Sequence, residues 1–217
     1  IGGAVARITI DREERRNAIS GELSERIAEE WERFNEDDFL WVAIFTGKGD
    51  VAFSAGHDLK EDVEGDVRGG ERGSRKPVLR RRAHPDTPTW KPTIAAVNGL
   101  AYAGGFNLAM DCDIRIAAEN AVFSLSEVRW NIVPRSVVRL RRIVAPGVAL
   151  WMALTAAEVS AAQAYDFGFV VNVVPPDRLM EAAMSTAERL CECGPLSIRA
   201  GKQLFYSTLD APIESAQ

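Results

Sequence analysis

Predominantly apolar runs of strand length alternate with helix-length segments along most of this chain. Residues 41–46 and 92–98 are two such runs, and their composition is typical of strands buried inside a sheet. Residues 21–34 carry apolar side chains at helical spacing, directly after Ser20, which is a good N-cap. Because strand and helix segments alternate, the sequence predicts an α/β fold around a buried sheet.

The same patterns predict the remaining elements, and 217 residues are enough for one domain with a substantial core. Further strands are expected at residues 5–10, 51–54, 114–117, 121–124 and 169–174. Further helices are expected at residues 103–110, 147–154 and 161–167, from a cap at Asp177 to about residue 191, and from Pro195 to about residue 206.

Composition narrows the class of protein. Hydrophobic residues make up 47% of the chain and charged residues 26%, and the net charge is −5, so nothing in the balance favours nucleic acid as a partner. No apolar run approaches the roughly 20 residues that a membrane span needs. Two histidines, and three cysteines (Cys112, Cys191 and Cys193) at spacings that fit no common metal motif, give no indication of a metal site. We therefore expect a reduced, cytoplasmic protein without a metal.

Residues 62–91 differ from the rest because glycine, proline, arginine and aspartate dominate and apolar periodicity is lost. Such a segment is predicted to be a long loop or a lid. Its basic residues would suit a polyanionic small ligand, but a solvated loop explains them equally well. They are Arg68, Arg72, Arg75, Lys76, Arg80, Arg81 and Arg82.

Two glycine-containing turns follow predicted strands, at residues 53–59 (F-S-A-G-H-D-L) and 98–106 (N-G-L-A-Y-A-G-G-F). Glycine allows close approach of the backbone to a ligand, and the first N–H groups of a helix lack intrahelical acceptors. Two N–H groups from two such turns can bind one oxygen as an oxyanion hole. Glycines after strands usually form simple turns, so neither turn alone indicates a functional site.

Five stretches, taken together and in this order, resemble the crotonase (enoyl-CoA hydratase/isomerase) superfamily. They are residues 8–20, which contain N-A-I-S, residues 46–61 (T-G-K-G-D-V-A-F-S-A-G-H-D-L-K-E), residues 91–113, residues 123–134 (F-S-L-S-E-V-R-W-N-I-V-P) and residues 154–176. The resemblance implies an α/β fold in which ββα units form a spiral with surrounding helices. It implies a core domain at residues 1–193, the truncated start of a C-terminal helical region at 194–217, and homotrimers that pair into hexamers.

The resemblance also assigns roles to residues. The backbone N–H groups of His57 and Gly104 would be the oxyanion donors, and Glu127 would be the acid/base. Asn107 stands where many relatives have a second acid, and with Trp130 it would position substrate or water. Coenzyme A, which is part of the acyl-CoA substrate and not a separate cofactor, would bind largely through backbone groups of Ala52, Phe53, Ser54, Ala55, Asp58 and Leu59.

Several functions stay open at this point. A hydratase, as in fatty acid metabolism, is the first expectation. Asn107 cannot accept a proton, so a double-bond isomerase that uses Glu127 alone is the second. The S-E-V-R-W pattern ending at Trp130 also resembles hydratase-lyases for bulky or aromatic acyl groups. A non-catalytic acyl-CoA-binding protein and a thioester hydrolase are further alternatives. The imidazole of His57 has no assigned role, and Asp58 is expected to fix its turn by an Asx-type hydrogen bond.

Overall fold

A computed structural model describes residues 4–58 and 89–209. Most of the predicted loop at 62–91 and its whole basic cluster therefore lie outside the described residues. Within the described ranges, no helix is long and apolar enough to cross a membrane.

Nine strands form two sheets within the described residues. The first sheet is wholly parallel and has the order β1-β2-β4-β6-β9. Its strands are β1 (Ala4–Ile10), β2 (Leu40–Gly47), β4 (Thr93–Val97), β6 (Ile114–Ala118) and β9 (Asn172–Val174). The second sheet has the order β3-β5-β7-β8, and only its β7–β8 pair is antiparallel. Its strands are β3 (Ala52–Ser54), β5 (Leu100–Tyr102), β7 (Val122–Ser124) and β8 (Val159–Ser160).

Seven α-helices are described in the same ranges. The longest is α1, Gly21–Glu36, whose N-cap Ser20 accepts a hydrogen bond from the Leu23 N–H. The others are α2 (Gly104–Asp111), α3 (Val137–Leu140), α4 (Pro146–Thr155), α5 (Ala161–Asp166), α6 (Leu179–Cys191) and α7 (Pro195–Thr208). The start of α7 agrees with the predicted last helix, whereas the division of the chain into domains at residue 194 stays a prediction.

The chain passes from the first sheet to the second three times in succession, from β2 to β3, from β4 to β5 and from β6 to β7. After β5 the chain returns to the first sheet through α2, which makes β4, β5 and α2 a ββα unit, and after β7 it reaches β9 through helical segments and β8. The crossing after β4 is tight, because a Cβ on Gly99 would lie 2.3 Å from the carbonyl oxygen of Val51. The α/β fold with a spiral of ββα units is therefore confirmed.

Two apolar clusters lie against the first sheet. The larger packs α1 against one face through Trp31 and Phe34, and extends to the second sheet. Within it, Phe106 stacks on Phe169 with ring centroids 4.8 Å apart. The smaller cluster packs α6 against the sheet. Each fully buried aromatic or branched side chain contributes roughly 1.5–3 kcal/mol, so the core holds the turns between the two sheets firmly in place.

Two local predictions are wrong. Asp177 does not cap α6, because the sequence Pro176–Arg178 forms a 3-10 turn and the helix begins at Leu179. The last strand is shorter than 169–174, because the N–H groups of Phe169 and Val170 donate to the carbonyl of Ala164 and close α5. The short elements β5, β8 and α3 were not predicted either.

Candidate active site

The two glycine turns lie against each other. Gly56 has φ +88°, and a Cβ built on it would lie 3.0 Å from the nitrogen of Gly104 and 2.8 Å from the carbonyl oxygen of Tyr102. A Cβ built on Gly104 would lie 3.6 Å from the nitrogen of His57. The close approach and the positive φ both require glycine at position 56. The fold therefore brings together the two segments that the sequence only showed to be separate turns.

The direction of the His57 N–H group follows from a parallel bridge between Ile19 and His57. Ile19 donates to the carbonyl of Gly56 at 2.7 Å and accepts from the N–H of Asp58 at 3.1 Å. In a parallel bridge, a residue whose two chain neighbours are hydrogen-bonded to the partner residue points its own N–H and C=O away from that partner. The His57 N–H thus points away from Ile19, and no acceptor for it is found among the described backbone groups.

Gly104 is the first residue of α2, so its N–H has no acceptor within the helix. The first helical hydrogen bond of α2 runs from the N–H of Asn107 to the carbonyl of Ala103. Ala103 itself has φ 46° and ψ −113°, a conformation that L residues rarely adopt, and its N–H is fixed to the carbonyl of Ser124 at 2.9 Å. Backbone strain of this kind costs about 1–3 kcal/mol and is typical of functional sites.

Glu127 lies in a 3-10 helix, Ser126–Trp130, that follows β7. Burial raises the pKa of its carboxyl group, while hydrogen bonds from its own backbone and from the Asn107 side chain lower it in part. Asn107 and Gly104 are one helical turn apart in α2, so they share a face of that helix. The structure thus brings Glu127 and Asn107 together, close to the second glycine turn.

Two buried oxygens at this place lack partners. Asn107 Oδ1 and Glu127 Oε2 accept no hydrogen bond from any described residue. A buried acceptor without a donor costs about 1–3 kcal/mol, and buried polar groups in proteins normally have a partner. Two adjacent acceptors of this kind suit a molecule with two O–H hydrogens, such as water, whereas a hydroxyl group could donate to only one of them.

The other predicted site residues differ in accessibility. Trp130 is 65% exposed and three residues after Glu127, which places both side chains on the same side of the 3-10 helix. Ala52, Phe53 and Ser54 are buried, with Phe53 in the core, so a ligand could reach only their backbone groups. Ala55 is half-buried and the His57 side chain is exposed. Leu59 lies outside the described residues.

Asp58 makes an ion pair that the sequence did not predict, and its expected Asx-type hydrogen bond stays a prediction. Its buried carboxylate forms an ion pair with Arg12 at 2.8 Å. Neither Arg12 nor the buried Asn17 was selected from the sequence. The side-chain amide of Asn17 donates to the carbonyls of Lys48 and Ala52, at 3.0 and 2.6 Å. The only available signal was the position of both residues in the first stretch that resembles the crotonase superfamily, at residues 8–20.

Comparison with known proteins places this arrangement in a family. The model of the enoyl-CoA hydratase/isomerase family matches residues 1–217. A carnitinyl-CoA dehydratase of Salmonella typhi is 39% identical over 214 residues, which cover 98% of this chain and 80% of that protein.

Solved structures agree with this result. An enoyl-CoA hydratase of Mycobacterium tuberculosis H37Rv has a TM-score of 0.86 and 31% identity, covering 98% of this chain and 82% of that one. An enoyl-CoA hydratase of Bacillus anthracis has a TM-score of 0.84 and 32% identity, with the same coverage of both chains. The fold and its two apposed turns thus define a protein of the crotonase superfamily. The chain belongs to its enoyl-CoA hydratase/isomerase family, and is an enzyme of the lyase or isomerase type.

Proposed function

We propose that this protein is a lyase of the enoyl-CoA hydratase type, which adds water to, or removes it from, the α,β-bond of an acyl-CoA thioester. The observation that carries the proposal is the pair of buried oxygens on Asn107 and Glu127 that accept no hydrogen bond from any described residue. Asn107 lies one helical turn from Gly104, whose N–H is free of intrahelical bonds, and the Asn107 side chain is hydrogen-bonded to Glu127. A site for water beside a site for a carbonyl oxygen is what hydration requires.

The thioester oxygen would accept hydrogen bonds from the N–H groups of His57 and Gly104. Negative charge develops on this oxygen as the enolate forms, so the two donors stabilise the enolate more than the ground-state ester. Loss of one such donor costs about 3–4 kcal/mol in well-studied enzymes. Only backbone groups are needed, which leaves the exposed His57 imidazole without a required role.

Glu127 would transfer the protons. A water molecule donates one hydrogen to Glu127 Oε2 and the other to Asn107 Oδ1. As Glu127 takes its proton, the hydroxide portion bonds to Cβ of the enoyl group and the electron pair moves to the thioester oxygen. The protonated Glu127 then gives its proton to Cα as the enolate collapses. A carboxyl pKa raised by burial brings proton affinity closer to neutral pH, which suits both transfers.

A relative named as a dehydratase supports water as the co-substrate or co-product.

A second candidate, double-bond isomerisation, is favoured by Asn107, because an amide cannot act as a second acid and an isomerase needs only one proton carrier. The two activities differ in outcome. The hydratase consumes water, whereas the isomerase moves a proton between carbons and leaves the water content of the product unchanged.

The test is turnover of crotonyl-CoA, followed by loss of the enoyl-thioester absorbance. We expect Glu127→Gln to lower kcat by about 10²–10⁴-fold, the usual contribution of a general acid/base. The matched control is Glu29→Gln on the exposed face of α1, which should retain the wild-type rate. If deuterium is incorporated at Cα of a 3-enoyl-CoA and crotonyl-CoA is not hydrated, the protein is an isomerase and not a hydratase. Full activity in Glu127→Gln would refute the assigned acid/base.

A further inference from the structure

An arginine and an aspartate meet next to the His57 turn. Arg12 Nη1 lies 2.8 Å from Asp58 Oδ2, and the two side chains are only 20% and 5% exposed. The same nitrogen also donates to the carbonyl of Ala18 at 3.1 Å. At this burial the charges are poorly screened by water, so loss of either partner has larger effects than loss of a surface ion pair.

The segment that carries Arg12 is itself fixed. The Arg12 N–H donates to Asn17 Oδ1 at 3.0 Å, and the Asn17 N–H donates back to the Arg12 carbonyl at 2.9 Å. Asn17 is fully buried with φ 54°, and its amide nitrogen donates to carbonyls on both sides of the β2–β3 turn, those of Lys48 and Ala52. The Arg12 backbone is therefore attached to the sheet turn and not free to follow Asp58.

The same segment binds the His57 turn through three backbone hydrogen bonds. They run from Ala55 N–H to Arg16 at 3.0 Å, from Ile19 N–H to Gly56 at 2.7 Å, and from Asp58 N–H to Ile19 at 3.1 Å. None of them uses the N–H of His57. The Arg12–Asp58 ion pair adds a side-chain contact at the last residue of this short ladder. Any shift of the ladder would therefore change where the His57 N–H points.

We propose that Arg12 and Asp58 are positioning residues that aim the His57 N–H at the thioester oxygen. The inference rests on the proposed function. Neither side chain touches the reacting atoms; both act through the backbone of His57. Misplacement of a catalytic group by about 1 Å costs as much as 10²-fold in rate. Loss of the pair should therefore lower kcat about 10–100-fold and change KM for crotonyl-CoA by less than about threefold.

The kinetic test compares Asp58→Asn, Arg12→Gln and the double variant with Asp11→Asn. Asp11 is the matched control, because it forms an ion pair with Lys48 at 2.9 Å on the same segment, but with both side chains more than half exposed. We expect Asp11→Asn to retain wild-type kcat. The double variant should be no slower than the slower single variant, because all three variants remove the same ion pair. A rise in KM with kcat unchanged would overturn positioning in favour of direct contact with the CoA moiety.

A spectroscopic readout separates positioning from a purely structural role. The absorbance of cinnamoyl-CoA shifts to longer wavelength when its thioester carbonyl is polarised, so the shift on binding reports the oxyanion donors directly. We expect a smaller shift in Asp58→Asn than in wild type, and a full shift in Glu127→Gln. A full shift in Asp58→Asn would overturn the inference while leaving the proposed function intact. A wild type without any shift would overturn both.

If Asp58→Asn proves unstable in thermal unfolding, Arg12→Lys provides the second variant. It keeps the positive charge but loses the planar guanidinium group, whose Nη1 reaches both Asp58 and the Ala18 carbonyl. We expect a folded protein whose kcat and carbonyl shift are both reduced. Wild-type values of both in Arg12→Lys would refute the role of the guanidinium geometry.

Discussion

Replacing Gly56 with alanine places a methyl group between the two turns that carry the proposed oxyanion donors. The new Cβ would meet Tyr102 O at 2.8 Å and Gly104 N at 3.0 Å, and the backbone would keep φ +88°. The positive φ costs about 1–2 kcal/mol for an L residue and the overpacking a further 1–3 kcal/mol, so we expect a loss of roughly 2–5 kcal/mol in the free energy of unfolding. Hydration of crotonyl-CoA should fall because the two turns move apart.

Substitutions at two other glycines separate the cost of the positive φ from the cost of crowding. Gly168 has φ +77° with nothing within 4 Å of its ideal Cβ, so Gly168→Ala should lose only about 1–2 kcal/mol and keep full activity. Gly105 has no positive φ, but its Cβ would lie 2.1 Å from Ser54 O, so Gly105→Ala tests crowding alone. Urea unfolding and crotonyl-CoA kinetics measure all three variants. Equal stability losses in Gly56→Ala and Gly168→Ala, with kcat/KM preserved in both, would refute the inferred contact between the turns.

Three further results are expected at the same site. Asn107→Asp puts a like charge beside Glu127 and raises the pKa of Glu127 further. The acid limb of the kcat/KM–pH profile should therefore move to higher pH by about one unit or more. An unchanged limb would contradict the contact between the two residues. Burial raises the pKa of Glu127 in the folded protein above its ordinary 4.5. The raised pKa contributes to the free energy of unfolding below pH 4.5, and this contribution is lost as the pH rises through the folded-state pKa. Glu127→Gln, which cannot ionise, should therefore gain stability relative to wild type between about pH 4 and pH 7, as measured by urea unfolding at both values. Ala103→Gly relieves the strain at φ 46° and should raise the free energy of unfolding by about 1 kcal/mol; a loss of stability would show that this conformation is unstrained.

The longer elements of the fold were predictable because their patterns are local. The apolar face of α1 and its cap at Ser20 lie within 17 consecutive residues (20–36), and β2 and β4 are apolar enough to be recognised alone. The strand β5 was not predictable in this way. Its three residues have strand geometry because they pair with β3 on one side and β7 on the other. Short strands of this kind depend on neighbours distant in the chain.

The same distinction between local patterns and long-range contacts applies to the candidate site. Sequence order and resemblance were enough to select His57, Gly104, Asn107 and Glu127, because each lies in a short recognisable motif. They did not reveal that one oxygen of Asn107 and one of Glu127 are buried without a donor among residues 4–58 and 89–209, since burial is a property of the packed chain. Nor did they indicate Arg12, whose partner Asp58 is distant in the sequence.

By itself, the sequence determined the α/β class, the family and the chemical groups available to the site. Hydrophobic periodicity encodes the fold class locally, whereas the family was indicated by the resemblance of ordered motifs along the chain. Only the tertiary structure decided that the Gly56 and Gly104 turns lie in contact, and that the His57 N–H points away from its bridge partner Ile19. The direction of an N–H group is fixed by which neighbouring groups are already hydrogen-bonded, and that is settled only when both sheets have formed.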